Sequence, residues 1–218
     1  MKFITTTAFR TSVFCGAALA ALLLAGCASP PTRYYTLAAP VLAVAPSAAP
    51  AAAAAPLWIE LAPLGLPERL ARPQLVVRPA GDGRQAEVEI LEQHRWASSF
   101  ENELRDALAS GIAARLGALD GTRGGRPAAA PVTRITVQLR QFDAVEGSKV
   151  EADFGWTLRR GEQPPRSMVC RISLSEPVAG TGIDAVAQGA QRLTANASAA
   201  IARSVAALQQ NPDAACPI

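Results

Sequence analysis

Apolar and polar residues alternate with a period of two over Leu57–Ala62. There Leu57, Ile59 and Leu61 oppose Trp58, Glu60 and Ala62, and the pattern predicts a short strand. Pro63 and Pro67 end it. Gln74-Leu75-Val76-Val77-Arg78 predicts a second strand and Gly81-Asp82-Gly83 a turn. Ala86, Val88 and Ile90, alternating with Glu87, Glu89 and Leu91, predict a third strand. The period then changes. Phe100, Leu104, Leu108, Ile112 and Leu116 recur every fourth residue, which is the apolar stripe of a helix. Ser98 is the expected N-cap, with Glu101 completing a capping box. Glu101, Glu103 and Asp106 near its start and Arg115 near its end suit the helix dipole. Gly117 or Gly121 is expected to stop it.

Residues 133–175 predict an antiparallel meander. Ile135, Val137 and Leu139 share one face, and Phe142 breaks their phase, so a bulge is expected near Gln141. Glu146-Gly147-Ser148 turns the chain. Val150, Ala152, Phe154, Trp156 and Leu158 then alternate with Glu151, Asp153, Gly155, Thr157 and Arg159, one face dry and one wet. After a turn at Gly161–Pro165, Met168, Cys170, Ile172 and Leu174 form the inner face of the last strand. Ile183, Val186, Ala190, Leu193, Ala197, Ile201, Val205 and Leu208 step by three and four in a final helix whose small central residues permit close packing. The expected fold is α+β, in the order βββ-α-βββ-α. It would be a single mixed or antiparallel sheet of about six strands with the two helices packed on one face.

The N-terminal part obeys another pattern. Lys2 and Arg10 precede an apolar run from about Val13 to Leu24, and Leu24-Ala25-Gly26-Cys27 follows. A charged start, an apolar middle and small residues before a cleavage point make a secretory signal over residues 1–26. A transmembrane helix is the rival reading, but it needs about 20 apolar residues. Thr5, Thr6, Thr7, Arg10, Thr11 and Ser12 interrupt this run too early. Cys27 at the cleavage point makes Leu24, Ala25 and Gly26 resemble a lipobox, which implies that Cys27 carries acyl chains such as palmitate and becomes the mature N-terminus. In that resemblance Ala28, where inner-membrane lipoproteins have Asp, implies the outer membrane. Residues 27–56 are rich in Ala and Pro and are expected to form a tether. About thirty residues at roughly 3.1–3.6 Å each would reach on the order of 90 Å. The paired Tyr34 and Tyr35 stand out in it, either to dock on a protein surface or to sit at a membrane interface. The globular domain is expected over 57–218.

Composition narrows the function. Lys2 and Arg10 account for two of the formal charges that make the chain +3, so the mature part is close to neutral and a poor phosphate binder. No nucleic acid is expected as a partner. Gly121-Thr122-Arg123-Gly124-Gly125-Arg126 lacks the Gly-Lys-Ser/Thr ending of a phosphate loop. With a single histidine, His94, and no Cys-x-x-Cys, no metal site and no cofactor are expected. His94 has no Gly-x-Ser-x-Gly elbow near it, so no catalytic residues are assigned and no enzyme is expected. Of the four cysteines, Cys15 leaves with the signal and Cys27 goes to lipid. Cys170 and Cys216 remain in an oxidising compartment and are expected to pair, two free thiols being the alternative.

Several segments together carry a family resemblance. They are the lipobox, Tyr34-Tyr35-Thr36-Leu37, the run Leu66-Pro67-x-x-Leu70-x-Arg72-Pro73-Gln74-Leu75-Val76-Val77-Arg78, and His94-Arg95-Trp96-Ala97 before the first helix. The chain resembles the ABC-type transport auxiliary lipoproteins, the PqiC-like group. The resemblance implies an outer-membrane lipoprotein facing the periplasm. It also implies a homo-oligomer and a partnership with an MCE-domain periplasmic protein that carries lipid between membranes. The same residues have plainer readings: Arg72 as the partner of a carboxylate, Pro67 and Pro73 as turn formers, Trp96 as packing at a strand–helix junction. A structural lipoprotein of another envelope machine, or a carrier with its own lipid cavity, is the alternative.

Overall fold

The computed structural model describes residues 30–38, 56–79, 81, 86–128, 130–161 and 166–217. Along them the chain forms β1 (Arg33–Tyr35), β2 (Trp58–Leu61), a 3-10 turn (Glu68–Leu70), β3 (Gln74–Val77) and β4 (Glu89–Trp96). Then come α1 (Phe100–Leu116), β5 (Leu119–Asp120), β6 (Val132–Val145), β7 (Lys149–Arg160), β8 (Arg166–Pro177) and α2 (Ile183–Gln210). The expected signal 1–26 with Leu24, Ala25 and Gly26, Cys27 as the expected lipid site, and residues 28–29 and 39–55 of the expected tether lie outside the described residues, as do 82–85 and 162–165 of the two turns. No helix among the described residues is long and apolar enough to cross a membrane.

The expected single six-stranded sheet with both helices on one face is not what forms. There are two sheets, one of three strands in the order β1-β4-β3 and one of five in the order β5-β2-β6-β7-β8. The reason lies along one edge of β6. That strand is 14 residues long, and β2 pairs with it in parallel only from Trp58↔Val132 to Leu61↔Ile135. Pro63 has no N–H to continue the ladder. The chain still follows β6 as far as the bridge Gly65↔Gln138, then leaves it at the Leu139/Gln141 bulge. Beyond the bulge the one backbone pairing on that edge of β6 among the described residues is the bridge Arg78↔Val145. β3 therefore takes β4 as its antiparallel partner, and β1 completes the small sheet by running parallel to β4.

The strict alternation of β6, β7 and β8 becomes burial. Val150, Ala152, Phe154, Trp156 and Leu158 turn inward, while Thr136, Gln138, Thr157, Ser173 and Ser175 face out. α2 lies against β6, β7 and β8, and α1 against β2, β5 and α2. The two helices approach closely where Gly111 meets Ser198: a Cβ on Gly111 would stand 2.7 Å from the Ser198 hydroxyl oxygen. α1 starts one residue later than its sequence cap implied. Ser99 is the N-cap and its Oγ accepts from the Asn102 N–H, while Ser98 Oγ donates to Glu103. Gly117, left-handed at φ 59°, ends the helix. Cys170 on β8 is joined to Cys216, with Cα atoms 5.7 Å apart, and this holds the C-terminal tail against the sheet.

Candidate docking site

Three of the four sequence segments that carry the family resemblance meet on the small sheet, the lipobox lying outside the described residues. The Leu66–Pro73 run turns through a 3-10 helix that buries Leu70, with Leu66 packed at the edge of the core. Pro73 then offers its carbonyl to the Trp96 N–H at 2.7 Å, and Gln74 pairs with Arg95. Between Gln74 and Leu75 the register jumps, so β4 is irregular where the sequence pattern showed only a polar lead-in to the helix. His94, Arg95 and Trp96 are strand residues. Trp96 is buried against Phe100 at 5.6 Å, and Phe100 meets Phe142 at 5.1 Å, so this end of β4 is keyed into the main core. Arg72 Nε is buried without a hydrogen-bond partner among the described residues. Arg95 donates from Nε to the Glu92 carbonyl and from Nη2 to the Glu92 carboxylate.

Onto this platform comes the N-terminal segment. Arg33, Tyr34 and Tyr35 lie opposite His94, Arg95 and Trp96, and the Ala97 N–H donates to the Tyr35 carbonyl at 2.7 Å. The two tyrosines divide. Tyr34 points out and is 67 % exposed, whereas Tyr35 turns in, stacked on His94 with ring centroids 5.8 Å apart. The Tyr35 hydroxyl donates to Asp184 Oδ1 at 2.7 Å, at the start of α2, and lies 2.8 Å from His94 Nδ1. A hydroxyl has one proton, already given to Asp184, so His94 must present Nδ1–H to the phenol oxygen. Arg33 completes the row with an ion pair to Asp184 at 3.5 Å. Burial first, and then the hydrogen bond and charge of Asp184, push the Tyr35 phenol up to about 12.

The next two residues fasten the segment to both helices. Thr36 Oγ1 and the Leu37 N–H donate to Glu103 Oε2 at 2.8 and 3.1 Å, at the start of α1. Gln191 of α2 donates to the Thr36 carbonyl at 2.8 Å. Leu37, 1 % exposed, is part of the apolar core. The carboxylates that do this, Glu103 and Asp184, stand in the first turns of α1 and α2; the sequence pattern showed Glu103 only as a complement to the helix dipole and did not single out Asp184. Chemically the arrangement holds a peptide. A phenol pushed upward is not an activated nucleophile, and among the described residues no group of three His, Cys, Asp or Glu side chains is placed to hold a metal. The apolar crevice between the small sheet and α2, lined by Leu75, Val77, Trp96, Val186 and Ala190, has free room of only about 10 Å³.

A family model described as "ABC-type transport auxiliary lipoprotein component" matches residues 35–202, from Tyr35 on, and takes in the Leu66–Arg78 and His94–Ala97 segments. Among solved structures, that of an uncharacterized protein superposes with a TM-score of 0.61 at 18 % identity, covering 81 % of this chain and 99 % of the other. A protein of Xanthomonas campestris, XCC0632 of the DUF330 family, superposes with a TM-score of 0.54 at 12 % identity, covering 83 % and 89 %. Likeness at such identities shows the fold alone. No curated protein matches.

Proposed function

The chain belongs to the ABC-type transport auxiliary lipoprotein component family, and from that premise we propose that it is a non-catalytic outer-membrane lipoprotein of an intermembrane lipid transport system. Cys27 carries the acyl chains, the 1–26 signal is removed, and the domain faces the periplasm. It docks an MCE-domain periplasmic protein at the outer membrane as a homo-oligomer, with no cofactor.

One observation carries the reading. The family match covers residues 35–202 and starts within the N-terminal segment, at Tyr35, whose hydroxyl meets both Asp184 and His94. A protein that invests its family segments in fixing its own N-terminal end, and none in a reactive centre, suits a structural subunit. The carrier reading has less support. A site that takes a drug-sized ligand runs to about 300–1,000 Å³, and the apolar crevice here offers about 10 Å³.

The test is an in-vivo crosslink and pull-down of the lipidated full-length protein, with mass spectrometry of what accompanies it. An MCE-domain protein is the expected companion. Cell-wall or secretion components in its place would overturn the transport role. Cys27→Ala is expected to move the protein into the soluble periplasmic fraction, and continued membrane association would refute the anchor.

A further inference from the structure

We infer that the cavity over Arg134 and Arg159, on the outer face of the large sheet, binds a phosphate group. The chain as a whole carries a formal charge of only +3, but the charge is unevenly spread. Glu60, Arg134 and Arg159 stand in one row across β2, β6 and β7. Residues paired in this way share a face, and like charges directly opposite each other are destabilising. Arg134 and Arg159 are such a pair. The carboxylate in the row belongs to the Arg134 side, with Glu60 Oε2 3.6 Å from Arg134 Nε. The Arg159 guanidinium has no ion pair among the described residues. Elsewhere on the surface arginines are matched one to one, as in Arg78–Asp143, Arg123–Asp106 and Arg171–Asp153. Two side-by-side arginines facing one carboxylate leave a positive charge uncompensated, and a bound anion supplies the missing negative charge.

Two solvated arginines on a flat strand would not make a site; these two border an open cavity of about 690 Å³. Sites for small organic ligands run to about 300–1,000 Å³. The cavity exists because β5 is two residues long and covers β2 only at Trp58 and Ile59, so the edge of β2 beyond them is open. Arg105 of α1 and Thr122 line it from that edge. Arg105 Nε is buried with no hydrogen-bond partner among the described residues. Thr122 Oγ1 already accepts from the Leu61 N–H at 3.0 Å, so its own proton is available to a ligand. Thr136 and Thr157, paired across β6 and β7 beside the arginine row, add two more hydroxyls. Guanidinium forks match phosphate and carboxylate oxygens alike. The number of donors separates the two. Three guanidiniums and three hydroxyls line this cavity, more than the two oxygens of a carboxylate engage, and they suit the three or more oxygens of a phosphate.

The experiment titrates sodium phosphate into full-length protein in dodecyl maltoside, read by isothermal titration calorimetry at fixed ionic strength. One saturable site with a dissociation constant of about 1 mM or tighter is expected. Arg134→Gln and Arg159→Gln are each expected to weaken binding about tenfold or more, the loss of a charge-assisted hydrogen bond. Arg171→Gln, outside the cavity and paired with Asp153, is expected to leave it unchanged. Glu60→Gln is expected to tighten binding severalfold, because it releases Arg134 to the anion; a row with a merely structural role would not respond in that direction. Dihexanoyl-phosphatidylglycerol, kept below its micellar concentration, is titrated in parallel. Tighter binding than phosphate with the same arginine dependence assigns the site to a lipid headgroup. Phosphate binding with no gain from the lipid assigns it to a soluble phosphate species. No saturable heat with either probe, or binding indifferent to both Arg134→Gln and Arg159→Gln, would overturn the site.

Discussion

Replacing Leu37 by Ala isolates the apolar part of the dock. Leu37 is 1 % exposed. The substitution removes three carbons, at about 0.8 kcal/mol each, and leaves a cavity that raises the cost to about 3 kcal/mol, within the range of about 2–5 for such changes. The polar ties to Glu103, Gln191, Asp184 and Ala97 remain, so the segment is weakened rather than abolished. A loss of about 3 kcal/mol multiplies the open population about a hundredfold. Native-state hydrogen exchange reads this at the Ala97 amide, whose acceptor is the Tyr35 carbonyl. The Phe154 amide, in the centre of the large sheet, reports global unfolding. Protection is expected to fall about a hundredfold at both amides, since global unfolding also exposes residue 37, with Ala97 the less protected of the two before and after the substitution. Unchanged protection at Ala97 would refute the role of Leu37. Equal protection at the two amides would show that the segment is part of one cooperative core and not a separately opening strap.

Other consequences are as concrete. Gly111→Val drives a side chain into the Ser198 hydroxyl, 2.7 Å from where its Cβ would stand. It is expected to lower stability by about 1–3 kcal/mol, with partial recovery by Ser198→Gly; an unchanged melting temperature would contradict the close helix contact. Tyr35 is expected to ionise near pH 12, raised from 10.0, as read by the ultraviolet difference between the protein and Tyr35→Phe. Because the folded value is raised, its contribution to docking is complete below pH 10 and is lost as pH rises through 12. Asp184→Asn is expected to lower the value without restoring 10.0, since burial is the larger cause; full restoration would reverse that order. Cys216→Ser releases a crosslink of sequence separation 46. Chain entropy puts the cost at about 4 kcal/mol, to be read as a lower urea midpoint, and an unchanged midpoint would show that the tail adds nothing.

Where periodicity is strict and long, the sequence is a reliable guide to this fold. The faces of β6, β7 and β8, the phase break at Phe142 and the stripe from Phe100 to Ile112 all follow from side-chain spacing, because each is a local consequence of strand or helix geometry. The division into two sheets is not local. Whether β3 joins β6 or β4 depends on how far β2 travels along β6 before Pro63 and the bulge end the pairing. Arg33–Tyr35 is three residues long within an Ala- and Pro-rich stretch, too short for any period to show, and its partner lies about 60 positions away. His94 and Arg95 are polar because they line an edge that receives that strand, so they looked like a loop leading to α1. Tyr34-Tyr35 was visible as an anomaly, but its division into one exposed and one docked ring follows from strand alternation, known only once the strand is. Glu103 was legible as a helix-start acid and nothing more, and Asp184 did not stand out at all, since their role here needs the segment that reaches them.

Docking of the N-terminal segment onto the small sheet is directly testable in the full-length protein. Tyr34 and Arg95 are direct partners in the parallel pair β1–β4, and neighbouring strands bring such residues within the Cα separation of about 4.4–6.8 Å that a disulfide requires. The decisive measurement is the mass spectrum of non-reduced Tyr34→Cys/Arg95→Cys protein, full-length and lipidated, taken from cell envelopes. A single peptide linking positions 34 and 95 is the predicted result. Both cysteines free and alkylated, with the Cys170–Cys216 link intact, would contradict it and leave the domain on a long, unoriented tether.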